Sequence, residues 1–113
     1  HAHFSPEERV ALVRQSVAAW PTVDVATYEG LTVDFAKRMG ASAIVRGLRA
    51  VSDFEYECSM SQMNRMLAPD LHTVFLMAGL DYQFLSSRMV RGVSSLGGDV
   101  ARLVSKHVGS ARL

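Results

Sequence analysis

Ala43-Ile44-Val45-Arg46-Gly47-Leu48-Arg49 is the stretch that decides the fold. Ala43 to Val45 is short, apolar and partly β-branched, the pattern of a strand buried in a parallel sheet. Arg46 to Arg49 then reads as a loop at the strand's carboxyl end. Downstream, Asp53 is placed to cap a helix with Tyr56, Met60, Met63 and Leu67 on one apolar face, and Pro69 lies just past its end. Thr73 to Met77 is a second buried strand and Ala78 to Leu85 a loop. Ser86 is placed to cap a helix carrying Met89, Val90, Val93 and Leu96, ended by Gly97-Gly98, and a last helical stretch runs from about Asp99 to His107. Upstream, Ser5-Pro6-Glu7-Glu8 combines a cap, a first-turn proline and a capping-box glutamate. Val10, Val13, Val17 and Trp20 follow at helical spacing until Pro21. Thr22 to Thr27, with valines at 23 and 25, alternates like a strand. Leu31 to Met39 forms another helix, stopped by Gly40.

The predicted order is α-β-α-β-α-β-α-α. Such alternation implies parallel strands joined by crossover helices, hence an α/β fold. In open parallel sheets ligands bind beyond the carboxyl ends of the strands. Two loops lie there, residues 46–53 and residues 78–87, and function is sought in them.

Bulk properties narrow the class. The chain has 113 residues, 49% hydrophobic and 20% charged, which argues for a globular domain and against disorder. A formal net charge of +1 gives no global field for nucleic acid or an anionic membrane, so neither is expected as a partner. Anion binding must come from locally placed arginines. Cys58 is the lone cysteine, which removes intrachain disulfides and cysteine-rich metal sites and fits a reducing cytoplasm. The opening His1-Ala2-His3 is neither a signal peptide nor an initiator methionine, and the chain is expected to start in the middle of something longer. His1 and His3 are read as terminal residues rather than metal ligands.

Arg46 and Arg49 flank a glycine at a strand exit. Guanidinium forks match phosphate oxygens two at a time, and Gly47 lets the backbone approach a ligand closely. By itself the pair is more often two solvated side chains. Ser86 and Ser87 open a helix, whose free N–H groups and positive dipole end suit phosphate, although a serine there is frequently only a cap. Asp53, Glu55 and Glu57 suit a first turn by complementing the dipole; Glu57 is also a candidate acceptor for a nucleotide. Tyr82 and Phe84 are either core or the walls of an adenine slot. The residues alone lead to an α/β domain that binds a phosphorylated ligand at two strand ends.

The run from Ala43 through Arg46-Gly47-Leu48-Arg49 to Asp53-Phe54-Glu55-Tyr56-Glu57 closely resembles the signature of bacterial phosphopantetheine adenylyltransferases. Met63-Asn64-Arg65, Leu67-Ala68-Pro69, Val74 to Met77, Tyr82 to Ser87 and Leu96 to Val100 follow that family's pattern in order, and Phe4 to Val10 and Gly30 to Lys37 match earlier segments. The resemblance implies a Rossmann-like nucleotidyltransferase fold, usually a hexamer. It implies that ATP and 4′-phosphopantetheine give dephospho-coenzyme A and pyrophosphate, with Mg²⁺ accompanying ATP. It puts Thr32 and Arg46 with the pantetheine substrate. Gly47, Leu48, Arg49, Glu57, Tyr82, Gln83, Phe84, Leu85, Ser86, Ser87 and Arg88 go with ATP.

Members of that family also open with a strand, a glycine-rich turn, a Thr/His-x-Gly-His motif and a lysine, none of which is in this sequence. No certain catalytic residue is therefore expected within the chain, and the first βαβ unit is expected to be absent. Loss of one group that stabilises a reacting phosphate lowers rate by about 10²–10³, so the isolated chain is expected to be inactive. The missing strands are expected between the retained ones, leaving buried edges unpaired and the chain alone short of a stable monomer. The alternative function is a non-catalytic remnant that binds nucleotide or coenzyme A or supports oligomers. Smaller departures are Ser86-Ser87-Arg88 for a usual triple serine, Gln83 for a serine, Ala78 for a proline and Gly92 for a glutamate.

Overall fold

The computed structural model describes residues 3–111; His1 falls outside them. In chain order the elements are α1 (Pro6–Ser16), α2 (Thr32–Arg38), β1 (Ala43–Leu48), α3 (Val51–Leu67), β2 (His72–Met77), a 3₁₀ turn (Leu80–Tyr82), α4 (Ser87–Ser95) and α5 (Lys106–Ser110). They fall into two units, Tyr28–Phe84 and the pair of flanking segments on either side of it.

The central unit is a β-α-β crossover with α2 in front. β1 and β2 are parallel, with Ala43 opposite His72 and Leu48 opposite Met77. Alternation along the strands gives the sheet two faces. Ile44, Arg46 and Leu48 share one face with their partners Thr73, Phe75 and Met77, and α3 covers it: Phe54 of α3 meets Phe75 edge-on at 6.3 Å. A small apolar core of Val33, Ala36, Ala68 and Leu71 forms beside Ile44. α2 ends as its glycine requires. Gly40 sits at φ +69°, the left-handed region, and the Ala41 N–H returns to the Ala36 carbonyl at 2.9 Å. At its start, Tyr28 stacks on Phe35 with centroids 4.5 Å apart, and the Tyr28 and Thr32 hydroxyls are hydrogen-bonded at 2.7 Å.

In the flanking unit the predicted capping box of α1 is complete. The Glu8 N–H donates to Ser5 Oγ, and the Ser5 N–H donates to Glu8 Oε2. Ser86 caps α4 by accepting from the Met89 N–H at 3.1 Å. Gly97, at φ +83°, closes that helix, with the Gly98 N–H returning to Val93. Ser16 of α1 and Ser105, the residue before α5, share a hydrogen bond at 3.1 Å.

Several expectations change. Thr22 to Thr27 is not a strand: no described segment pairs with it, and two alternating valines cannot hold an extended segment without a ladder. β1 does not stop at Val45 but continues through Leu48, because β2 is long enough to pair it to the end. β1 and β2 are hydrogen-bonded directly to each other, so no strand lies between them. Neither is buried on both faces; Val45, Val74 and Leu76 are exposed on the side α3 does not cover. The helix over 99–107 is replaced by turns followed by the shorter α5, since the Asp99 carboxylate takes the Ala101 N–H and competes with helix there. Asp53 is not the cap of α3; Ala50 occupies that position and the helix starts at Val51.

Candidate functional site

α3 is amphipathic in the opposite sense to a simple core helix. Met63, Met66 and Leu67 are exposed. The residues turned toward β1 include Glu57, Ser61 and Asn64, spaced four and three apart so that they share one face. Between that face, the strands and α2 lies a cleft of about 200 Å³. Thr32, Arg46, Glu57, Asn64 and Thr73 line it.

Arg46 lines this cleft because its position in β1 shares the covered face with Ile44. Its Nε donates to Glu57 Oε2 at 2.9 Å and its Nη2 to Oε1 at 2.5 Å. This is a side-on, two-pronged pair of the kind that fixes geometry as well as charge. Only 12% of the Glu57 side chain is exposed, against 52% for Arg46. The hydrogen bonds from Arg46 hold the Glu57 carboxyl below the usual carboxylate range, opposed by partial desolvation and by Asp53. Reciprocally, Glu57 raises the already high pKa of Arg46.

Arg49, just past β1, has a carboxylate of its own. Asp53, in the first turn of α3, accepts from the Arg49 backbone N–H at 3.1 Å and from its Nε at 3.0 Å. These bonds, the side-chain one foremost, lower the Asp53 pKa. Two arginines three apart on a strand exit are thus each gripped by a carboxylate, and the two carboxylates lie one turn apart on one helix.

Gly47 lies on the opposite sheet face from Arg46. A Cβ built there meets nothing within 4 Å, so the space above it is open. The Leu48 side chain is buried, and its carbonyl accepts the Ala78 N–H at 2.7 Å. Tyr82 closes the 3₁₀ turn, Gln83 donates to the Ala78 carbonyl at 3.3 Å, and Phe84 is exposed. Leu85, Ser86, Ser87 and Arg88 belong to the flanking unit, where Ser86 is the helix cap and Ser87 and Arg88 are exposed in the first turn of α4.

Thr32, Arg46 and Glu57, singled out in the sequence, therefore meet in one cleft. Ser61 and Thr73 join them and were not anticipated. The signal for Ser61 is the polar stripe of α3; Thr73 becomes identifiable only once the strand register sets it opposite Ile44. Among the described residues no group of three or more His, Cys, Asp or Glu side chains gathers at metal-binding distance. These residues by themselves supply no cage for Mg²⁺. No helix among the described residues is long and apolar enough to cross a membrane.

Residues 1–93 match the profile described as cytidylyltransferase-like, and the chain belongs to that family of nucleotidyltransferases. The parallel strands around a crossover helix agree with its Rossmann-like α/β fold. More particularly, the chain is similar to proteins named phosphopantetheine adenylyltransferase. It is 58% identical over 105 residues to that of Moorella thermoacetica, an alignment covering 93% of this chain and 66% of the relative. It is 52% identical over 108 residues to that of Thermomicrobium roseum, covering 96% and 65% respectively, and 50% identical over 108 residues to that of Methylococcus capsulatus, covering 96% and 67%. The chain thus spans about two thirds of the length of the curated relatives it matches.

Proposed function

We propose that the whole protein transfers the adenylyl group of ATP to 4′-phosphopantetheine, giving dephospho-coenzyme A and pyrophosphate in the route to coenzyme A. The observation that carries this reading is the cleft itself. A half-exposed arginine, paired two-pronged with a carboxylate, shares a polar cleft with Thr32 at the covered face of a parallel strand pair. The names borne by relatives at 50–58% identity support this choice of substrates.

The chemistry asks little of a protein beyond alignment and charge neutralisation. A non-bridging oxygen of the pantetheine phosphate attacks the α-phosphorus of ATP. A new phosphorus–oxygen bond forms, and the bond from the α-phosphorus to the oxygen bridging to the β-phosphate breaks. Pyrophosphate leaves with the electron pair. Arg46 and Thr32 take the acceptor phosphate and the start of its arm. Arg49, the open backbone at Gly47 and Leu48, and the segment from Tyr82 to Phe84 serve ATP. The cations offset the repulsion between two phosphorylated substrates, and Mg²⁺, arriving with ATP, supplies further charge. A cytoplasmic location and a homo-oligomer, a hexamer by resemblance, belong to the same reading. The exposed methionines of α3 offer apolar surface for such an assembly.

The test is pyrophosphate release by the whole protein supplied with ATP and either 4′-phosphopantetheine or nicotinamide mononucleotide. Release with the first alone supports the reading. Preference for nicotinamide mononucleotide would assign a different acceptor, and no release with either would favour the non-catalytic remnant.

A further inference from the structure

Tyr28 is fixed at the entry to α2. Gly30, at φ +88°, turns the chain between the two. The Tyr28 ring stacks on Phe35, 8° from parallel, and the Arg38 guanidinium stands over the same Phe35 ring, 5.7 Å from its centroid. At the other end of the side chain, the Tyr28 hydroxyl lies 2.7 Å from Thr32 Oγ1. Tyr28 is an exposed residue, and water would satisfy its hydroxyl at little cost. That hydroxyl is nonetheless bonded to a side chain lining the cleft that holds Arg46. Tyr28 also lies within electrostatic reach of Arg46, whose pKa is raised first by the Glu57 hydrogen bond and more weakly by Tyr28.

A hydrogen bond between two hydroxyls has a direction. A phenol is a stronger acid than an aliphatic alcohol, and its oxygen shares a lone pair with the ring, so it donates better and accepts worse. Tyr28 therefore donates, Thr32 Oγ1 accepts, and the Thr32 proton is left for a ligand. Ser61, on the α3 side of the cleft, is committed the other way: its hydroxyl donates to the Cys58 carbonyl at 2.8 Å and keeps only lone pairs to offer. We propose that Tyr28 is a positioning residue for the acceptor, its hydroxyl turning the Thr32 proton toward an oxygen of the acceptor's arm beyond the phosphate. This deepens the function proposed above and rests on it. A hydroxyl whose rotation is already restricted binds with less entropy to lose.

In the whole protein, Tyr28→Phe keeps the ring that stacks on Phe35 and removes only the hydroxyl. KM for 4′-phosphopantetheine should rise roughly fivefold, the loss expected of one neutral hydrogen bond, with KM for ATP within about twofold of the wild type. Thr32→Ser retains a hydroxyl and should stay within about twofold for both substrates, whereas Thr32→Val should raise the acceptor KM at least as much as Tyr28→Phe. Tyr28→Phe added to Thr32→Val should have no further effect, because its target is gone. An unchanged acceptor KM in Tyr28→Phe, an equal rise for ATP, or multiplicative losses in the double variant would overturn the proposal.

A second probe separates positioning from a general loosening of the cleft. 2,2-Dimethylpropyl phosphate carries the acceptor's phosphate and branched carbon but no oxygen further along. As an inhibitor competing with 4′-phosphopantetheine it should act equally on the wild type and Tyr28→Phe. Weaker inhibition of Tyr28→Phe would show that the phosphate end is disturbed and that Tyr28 only supports the structure. Should the wild-type protein form no dephospho-coenzyme A, the proposed function falls by itself. Titration calorimetry with 4′-phosphopantetheine then decides for Tyr28. Binding about fivefold weaker in Tyr28→Phe supports the positioning role, and equal binding by both proteins, or none by the wild type, refutes it.

Discussion

Removing Arg46 strands a carboxylate. In Arg46→Ala, Glu57 keeps its place on α3 with little of its side chain exposed but loses both donors. Deleting one partner of a fully buried pair costs about 3–5 kcal/mol, while a fully exposed pair is worth about 0–1. Arg46 is half exposed, so solvent takes over part of its work, and a loss of about 1–2 kcal/mol follows. For a protein of this size that lowers Tm by roughly 3–6 °C. Its pH dependence identifies the cause. Glu57 has a folded pKa below its ordinary 4.5, so the stability it contributes is complete above that value and is lost as pH falls through the folded pKa. Calorimetry of the wild type and Arg46→Ala should therefore show a full Tm gap at pH 7 that narrows steadily below about pH 4.5. A gap as wide at pH 3 as at pH 7, or no gap at all, would mean that the pair contributes nothing and that the geometry has been misread.

Arg49→Ala should weaken ATP handling by an order of magnitude or more while leaving KM for the acceptor unaltered, and unchanged ATP kinetics would remove Arg49 from the site. Gly47→Val should fold normally, because nothing stands near the new Cβ, yet should lose nucleotide affinity measurable by calorimetric titration; undiminished affinity would show that no ligand uses that space. Ser86→Ala should cost about 1 kcal/mol in thermal melts through loss of the cap to the Met89 N–H, whereas Ser87→Ala should leave stability unaltered.

What could be read from the sequence follows from which signals are local. The capping box at Ser5 and Glu8, the glycine stop at Gly40 and the Ser86 cap depend on neighbours a few residues away, and each formed as expected. The strands were located, but their burial was not, because burial depends on what covers a sheet rather than on the strand's own residues. Thr22 to Thr27 shows the same limit: alternating valines describe a strand only if another strand is there to pair with them. α3 is the most instructive case. Its apolar stripe was read as one face, yet that stripe divides: Tyr56 and Met60 line the cleft beside Glu57, Ser61 and Asn64, whereas Met63 and Leu67 are exposed. Arg46 and Arg49 were singled out as candidate phosphate ligands by type and spacing. Asp53 was read as a cap and Glu57 as a first-turn acid or nucleotide acceptor; their pairing with the arginines was not legible, because it depends on β1 running on to Leu48 and bringing Arg46 alongside α3.

The division of the chain into a continuous middle and a split periphery orders the steps of folding. Ala43 reaches His72 across about 30 residues, while Ser16 reaches Ser105 across 89. Chain closure scales with the logarithm of loop length, so the longer closure costs about 1 kcal/mol more entropy in an unfolded chain. The crossover should therefore form early and the α1–Ser105 contact late. Pulse-labelled hydrogen exchange should show the β1–β2 amides protected before those of α5, a five-residue helix too short to persist until it meets α1.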